Sequence, residues 1–157
     1  MNLHIKNGRV FDPANALDEV RDLFIVDGKL IDLATYTGNG GNFVAHETID
    51  ASGLVVVPGL VDLSARLREP GFEYKATLES ELQAAIRGGV TSLVCPPDTD
   101  PVLDEAGLVE VLKQRAKLQN KANVYPLGAL TLGLNGQNLT EMAALTEAGC
   151  VGFSQAE

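Results

Sequence analysis

The sequence contains no tryptophan, only two histidines and two cysteines, and no cluster of basic residues. With a formal net charge of −9, the chain lacks the positive surface that binding to nucleic acid or to an anionic membrane requires. No apolar run approaches the roughly 20 residues of a membrane-spanning helix. The opening segment MNLHIKNGRVFD lacks the basic start and apolar core of a signal peptide. We therefore expect a cytoplasmic protein with no nucleic-acid or membrane partner.

The scarcity of cysteine and histidine also restricts the chemistry. Cys95 and Cys150 stand far apart and form no CxxC pair, so we expect two reduced, buried thiols. A catalytic thiol needs a basic partner, for which only His4 and His46 are available. Both histidines fall in N-terminal segments that we predict to be β-strands. Metal-assisted hydrolysis needs several imidazoles or carboxylates around one ion, and two such histidines do not provide them.

Roughly the first 57 residues of the sequence show the pattern typical of β-strands. Apolar residues alternate on either side of a predicted turn at Asn7-Gly8. Two short apolar runs flank Asp27-Gly28, which predicts a hairpin. A further strand pair is predicted around Ser52-Gly53. The segment GNGGN, residues 38–42, is not followed by a helix pattern, so we interpret it as a flexible turn rather than a phosphate loop.

From Leu54 onward, strand and helix signals alternate, as in parallel βα units. The run LVVVPGLVDL is continuously apolar, as expected of one strand buried on both faces. Helices are predicted over 77–88, 104–120 and 139–148, and strands over 90–95, from residue 122, and over 150–154. The predicted apolar helix faces carry Leu78, Leu82, Ala85 and Ile86 in the first helix, and Leu108, Val111 and Leu112 in the second.

Four strands and three helices are about half of a (β/α)8 barrel, which typically needs about 250 residues. A half-barrel leaves open strand edges. The alternatives are a smaller open α/β sheet and a piece of a longer chain, and we favour the second. In either case function belongs at the carboxyl ends of the strands, which are predicted near residues 62–68, 95–100, 128–133 and 154–157.

The segments VVPGLVDL, LREPG, GGVTSLVC, PPDTDP, YPLGALTLG and AGCVGFS occur in this order, after a β-rich start that contains DGKL. Together they resemble dihydroorotases, within the cyclic amidohydrolases, over essentially the whole chain. The resemblance implies an α/β fold, namely an amidohydrolase (β/α)8 barrel with a small β-sandwich built from both chain ends. It also implies a length far beyond this chain. We therefore expect a β-sandwich segment over 1–54 and the first half of the barrel over 55–157.

The sequence departs from the family pattern where the resemblance implies a zinc site. The family's first strand ends Asp-x-His-x-His-x-Arg, in which both histidines bind zinc and the arginine holds the substrate carboxylate. Here the run contains Asp62, Ser64, Arg66 and Arg68. Serine is a poor zinc ligand and arginine a permanent cation. Both ligand positions are therefore degenerate, and only Arg68 remains as a vestigial substrate-binding residue.

Two further loops depart in the same direction. The family's Pro-Asn-Thr-Asn-Pro uses its first asparagine toward the substrate carboxylate, a position that Asp98 occupies here. In the family an acidic pair often follows Phe-Ser, and one of the two can bridge or bind metal; Gln155 and Ala156 replace this pair here, so the resemblance makes Gln155 a third degenerate metal-ligand position. A lysine after the family's third strand is replaced by Leu132. We therefore expect no catalytic residue, no metal and no cofactor, whereas active relatives use zinc.

The charged residues left in these loops need another role. We expect Arg66 and Arg68 to pair with Asp98 or Asp100, so that the vacated site becomes an ion-pair cluster. The remaining acids, including Glu69, are expected to be solvated or salt-bridged.

The resemblance extends to non-catalytic bacterial homologues that bind the catalytic chain of aspartate transcarbamoylase and hold a large hetero-oligomer together. We therefore expect a pseudoenzyme that assembles this partner in pyrimidine biosynthesis. One alternative is an active cyclic amidohydrolase that takes metal ligands from a further part of the protein. Another is a binding module that holds a small carboxylate through Arg68.

Overall fold

The computed structural model of the chain describes residues 1–155, which divide into one unit ending at Pro58 and another beginning at Gly59. The strands of the first unit are β1 (Asn2–Asp12), β2 (Leu17–Val26), β3 (Lys29–Ile31), β4 (Glu47–Asp50) and β5 (Val55–Val56). They form a five-stranded sheet in the order β3-β2-β1-β4, in which β5 also pairs with β1. Strand β1 is antiparallel to β2 and parallel to β4 and β5.

The hairpin predicted at Asp27-Gly28 is confirmed. Val26 pairs with Lys29 across a two-residue loop, and both loop residues have positive φ, 48° and 78°. This is the backbone that a type I′ turn requires and that an Asp-Gly sequence favours.

Two other predictions in this unit were wrong: the turn at Asn7-Gly8, and the pairing with each other of the strands beside the Ser52-Gly53 turn. Asn7-Gly8 does not turn the chain but forms a bulge inside β1, where the register with β2 shifts between Ile5 and Gly8. The strands on either side of Ser52-Gly53 do form, but each pairs with β1 and not with the other. Between them, Ala51 N–H donates to the carbonyl of Lys6, so that the turn keeps the chain on the same edge of β1.

The second unit alternates strands and helices, which confirms the α/β prediction. Its elements are β6 (Leu60–Asp62), α1 (Leu78–Arg87), β7 (Val90–Cys95), α2 (Ala106–Gln119), β8 (Asn123–Pro126), β9 (Gly128–Ala129), α3 (Met142–Ala148) and β10 (Phe153–Ser154). Strands β6, β7 and β8 form a parallel sheet in that order, and β9 is parallel to β10.

Local sequence signals set the helix ends. Thr77 caps α1 by accepting a hydrogen bond from Ser80 N–H, and the Ser80 hydroxyl reciprocates as acceptor in a capping box. Gly149 ends α3 with a φ of 104°, a conformation that favours glycine. The third helix begins at Met142 and not at residue 139, because the preceding residues fold back, with Leu139 bridging Thr131.

The core of this unit lies between the helices and the sheet. The helix faces differ from the prediction: Ile86 and Val111 are exposed, and α2 buries Val109 beside Leu112. Apolar residues occur on more than one side of α2, because Val109 and Val111 are two positions apart on the helix, so their spacing alone did not identify the buried face. The buried cluster contains Leu67, Leu78, Leu82, Leu93, Cys95, Leu103, Val109, Leu112, Ala116, Ala122, Leu145, Ala148 and Cys150.

The run LVVVPGLVDL is two short strands and not one buried strand. Val55–Val56 forms β5 of the first sheet and Leu60–Asp62 forms β6 of the second. Pro58, which has no N–H to donate, separates them. Leu60 and Val61 are 56% and 60% exposed, and among residues 1–155 β6 pairs with β7 alone.

No helix in the described part of the chain combines the length and apolar character needed to cross a membrane.

Candidate functional site

The loops after β6 and β7 lie side by side at the carboxyl ends of these parallel strands, as expected of neighbouring strands. Ala65 N–H donates to the carbonyl of Val94 at 2.9 Å, which extends the pairing past the end of β6. Leu67, 4% exposed, anchors the first loop in the core. The backbone on either side of Leu67 is therefore held beside the second loop.

Arg66 and Asp98 form an ion pair between these loops. Arg66 Nε donates to Asp98 Oδ2 at 2.5 Å, with the two side chains 44% and 20% exposed. The expectation that an arginine of the first loop pairs with an acid of the second is confirmed for these two residues. Within residues 1–155, the side chains of Arg68 and Asp100 make no hydrogen bond or ion pair. The charges thus form one pair and not the expected cluster.

Glu69 belongs to a second set of contacts, which the sequence reasoning did not identify. Its Oε2 accepts the N–H of Leu78, the first residue of α1, at 2.9 Å. Its Oε1 accepts a hydrogen bond from Arg115 Nη1, on α2, at 2.8 Å. The Glu69 side chain is 17% exposed. This acid is salt-bridged, as expected, and it connects the loop to two helices.

Ser64 and Gln155 also lie in structural contacts. Ser64 N–H donates to Asp62 Oδ1 at 2.9 Å, and Ser64 is exposed. The Gln155 side chain accepts from Thr131 Oγ1 at 2.9 Å and donates to the carbonyl of Leu134 at 2.8 Å. Gln155 therefore ties the end of β10 to the loop after β9. Ala156, the other position named for this loop, lies outside the described residues.

The residues present do not fit zinc. In residues 1–155 no group of three or more His, Cys, Asp or Glu side chains could hold a metal ion. His4 Nε2 lies 2.8 Å from Asp22 Oδ2, and His46 Nδ1 accepts a hydrogen bond from Asn2 N–H, both within the first unit. A guanidinium stands at a predicted ligand position, and it offers no lone pair to a metal.

The cleft beside the ion pair is small. Arg66, Arg68 and Asp98 line a space of about 10 Å³, which holds about one water molecule. Cys95 also lines it, and burial, with a smaller contribution from Cys150, raises the pKa of this thiol to about 12. Because the thiolate is the nucleophilic form, Cys95 is inert at neutral pH. Both cysteines are free and buried, as predicted.

A larger cavity of about 570 Å³ lies along α2 and β8 and is lined by Lys113, Lys117 and Tyr125 among others. It contains none of the predicted site residues. Lys113 is engaged there with the end of α3, donating to the carbonyl of Ala148 at 3.0 Å.

Comparison with known proteins gives the family. The Dihydro-orotase-like family model matches residues 53–157. The chain belongs to the dihydroorotase-like family. It is similar to a dihydroorotase-like protein of Pseudomonas aeruginosa, with 48% identity over 154 residues, 98% of this chain and 36% of that protein. It is also similar to a dihydroorotase of Pelobacter propionicus, with 47% identity over 155 residues and the same coverage.

The chain thus spans 36% of the length of these dihydroorotase-like relatives. An L-hydantoinase from Arthrobacter aurescens superposes with a TM-score of 0.77 at 24% identity, over 96% of this chain and 32% of that one. A dihydroorotase crystal structure superposes with a TM-score of 0.55 at 15% identity, over 97% and 41%. These likenesses confirm the amidohydrolase fold. The assignment of 1–54 to a β-sandwich and 55–157 to the barrel stays a prediction.

Proposed function

We propose that this member of the dihydroorotase-like family is catalytically inactive and acts as an assembly subunit for aspartate transcarbamoylase in pyrimidine biosynthesis. The observation that carries the proposal is the Arg66–Asp98 ion pair. It puts a fixed positive charge, already neutralised by a carboxylate, where the family resemblance implies a zinc ligand.

The chemistry supports inactivity in this part of the protein. A metal-bound water becomes a nucleophile near neutral pH only when several ligands hold the ion beside the substrate. Ser64 and Arg66 do not act as such ligands, and Asp98 repels a substrate carboxylate instead of binding it. Arg68 alone retains the expected chemistry, and it borders a space of water size.

The preserved fold supports an assembly role. The helix cap at Thr77, the glycine that ends α3 and the buried core are intact, while the positions that should carry chemistry have changed. A protein selected as a scaffold needs its helix caps, turns and core, but it does not need the residues that bind metal or substrate.

A working metal-dependent dihydroorotase is the second candidate, because a relative 47% identical to this chain is named dihydroorotase. In that case the metal ligands come from the part of the relatives' length that this chain does not span. A carboxylate-binding module acting through Arg68 is a further outcome of the same experiments.

The deciding experiment measures the mass of the full-length protein in solution, alone and mixed with its cognate aspartate transcarbamoylase chain, by size exclusion with light scattering. We expect a stable mixed complex and transcarbamoylase activity that depends on it. Two separate peaks with unchanged transcarbamoylase activity would overturn the assembly role.

Metal content and the interconversion of dihydroorotate and carbamoyl aspartate are measured on the same sample. Stoichiometric metal with turnover would establish the enzyme instead. Thermal stabilisation by dihydroorotate that is lost in Arg68→Ala, without turnover, would establish the binding module.

A further inference from the structure

The cavity of about 570 Å³ along α2 and β8 concentrates positive charge. Lys113, Lys117 and Lys121 line it, and among the described residues no aspartate or glutamate does. The chain as a whole carries 21 acidic residues against 12 lysines and arginines. The lining of this cavity therefore has the opposite charge to the whole chain, and it favours an anionic ligand.

The three ammonium groups are held in different ways. Lys113 Nζ donates to the neutral carbonyl of Ala148 at 3.0 Å, which leaves its charge uncompensated. Lys121 is 16% exposed, and its Nζ lies 3.4 Å from the carbonyl of Glu79 and 3.5 Å from the carboxylate of Glu79, which is 71% exposed. Lys117 is exposed, and its side chain has no hydrogen bond or ion pair within residues 1–155. Two cations are thus positioned by contacts with the fold, and the third is free to close on an anion.

We propose that this cavity binds the phosphate group of a small phosphorylated molecule. A phosphate monoester carries close to two negative charges at neutral pH, which suits several cations better than the single charge of a carboxylate does. Lysine binds phosphate as a point charge. The volume lies within the range of small-molecule sites and leaves space for the rest of the ligand. Asn120, Asn123 and Tyr125 line that space and offer amide groups and an aromatic ring.

The proposed phosphate site lies apart from the loops that carry Arg66 and Asp98. Those loops follow β6 and β7 at the carboxyl ends of the parallel strands, whereas Asn120 to Asn123 precede β8 at the amino ends. In β/α barrels the chemistry takes place at the carboxyl ends. The cavity is therefore a binding site without a catalytic step. It goes beyond the proposed function, because it requires neither the loss of catalysis nor the assembly role.

The test is thermal unfolding of the full-length protein in phenyl phosphate, compared with sodium chloride at the same ionic strength. Wild type should show a saturable rise in Tm, since a ligand that binds the folded state stabilises it. Lys117→Met should need about fivefold more phenyl phosphate for the same rise, because one charged contact is lost. Methionine is a good helix former, so α2 should remain folded. In wild type, phenyl phosphate should also slow hydrogen exchange in peptides covering 113–125.

Lys29→Met is the matched control, because Lys29 is an exposed lysine on β3 and does not line the cavity. It should respond to phenyl phosphate as wild type does. Equal responses of Lys117→Met and Lys29→Met would overturn the proposal, since phosphate also stabilises proteins without a specific site. A lower Tm of Lys117→Met with an unchanged response would overturn it as well, and would leave the lysine only a role at the C-terminus of α2.

A protein segment is the other anion to test. A response to polyglutamate that depends on Lys117, without one to phenyl phosphate, would overturn the proposal in favour of an acidic partner segment. None of these measurements includes aspartate transcarbamoylase, so the assembly role stands or fails separately.

Discussion

At the scale of single residues, the charged side chains in the loops after β6 and β7 stabilise the fold. Arg66 compensates Asp98, and Glu69 compensates both the positive end of α1 and Arg115. A carboxylate at a helix N-terminus accepts an N–H that has no partner within the helix and interacts favourably with the helix dipole. Asp98 and Glu69 are thus occupied by the protein's own donors.

Glu69→Gln tests this role. Glutamine keeps the shape and one acceptor, but it turns an amide N–H₂ toward either Leu78 N–H or Arg115, and it removes the negative charge. We expect a loss of about 1–2 kcal/mol in the free energy of unfolding, measured by urea denaturation. Glu110→Gln is the control, because Glu110 is exposed on α2 and has no side-chain partner within residues 1–155. Equal effects of the two variants would contradict the structural role of Glu69.

At the scale of secondary-structure elements, patterns of neighbouring residues correctly predicted a turn and a strand. The Asp27-Gly28 hairpin and the strand Val90–Cys95 form as expected. The hairpin depends on residues adjacent in sequence, where turn geometry acts.

The errors concern partners that are distant in sequence. Asn7-Gly8 and Ser52-Gly53 both contain residues typical of turns. The strands that pair with these segments decide whether such residues form a β-bulge, a hairpin or a turn between two strands that pair with a third. For the site, Arg66 and Asp98 follow neighbouring strands and could be paired from topology. Glu69 and Arg115 are 46 residues apart, and nothing in either segment marks the other.

The turn between β4 and β5 makes an acid-sensitive contact. Asp50 Oδ1 accepts hydrogen bonds from the Ser52 hydroxyl at 2.6 Å and from Asn7 Nδ2 at 3.2 Å. These bonds, that of Ser52 first, lower the pKa of Asp50 from 3.8 to about 2. A lowered pKa means that the folded state favours the carboxylate. The contribution is therefore complete above pH 3.8 and is lost as pH falls toward 2.

We therefore expect the stability of the wild type to fall between about pH 4 and pH 2, and Asp50→Asn to reduce that dependence. Ser52→Ala should act in the same direction, because it removes the largest cause of the shift. The measurement is urea unfolding followed by circular dichroism at a series of pH values. An unchanged slope in both variants would show that Asp50 does not contribute to it.

At the scale of the whole molecule, strand β6 and the residue that follows it carry exposed apolar side chains. Leu60, Val61 and Leu63 are 56%, 60% and 73% exposed, although the unbroken apolar run predicted burial. Strand β6 pairs on one side with β7, and the described residues place no strand on its other side. An apolar strand edge of this kind is a template for pairing with another chain.

The 157-residue chain in isolation should therefore self-associate through β6. Val61→Lys places a charge on this edge, which opposes edge-to-edge pairing, and should shift the population toward monomer in sedimentation velocity at matched concentrations. Leu118→Lys is the matched control: Leu118 is 77% exposed, and it lies on helix α2 and not on a strand. If the wild type stays monomeric, or if both lysines act equally, the open edge of β6 is not what drives association. If Val61→Lys alone acts, β6 is the surface that a longer dihydroorotase-like chain has to cover.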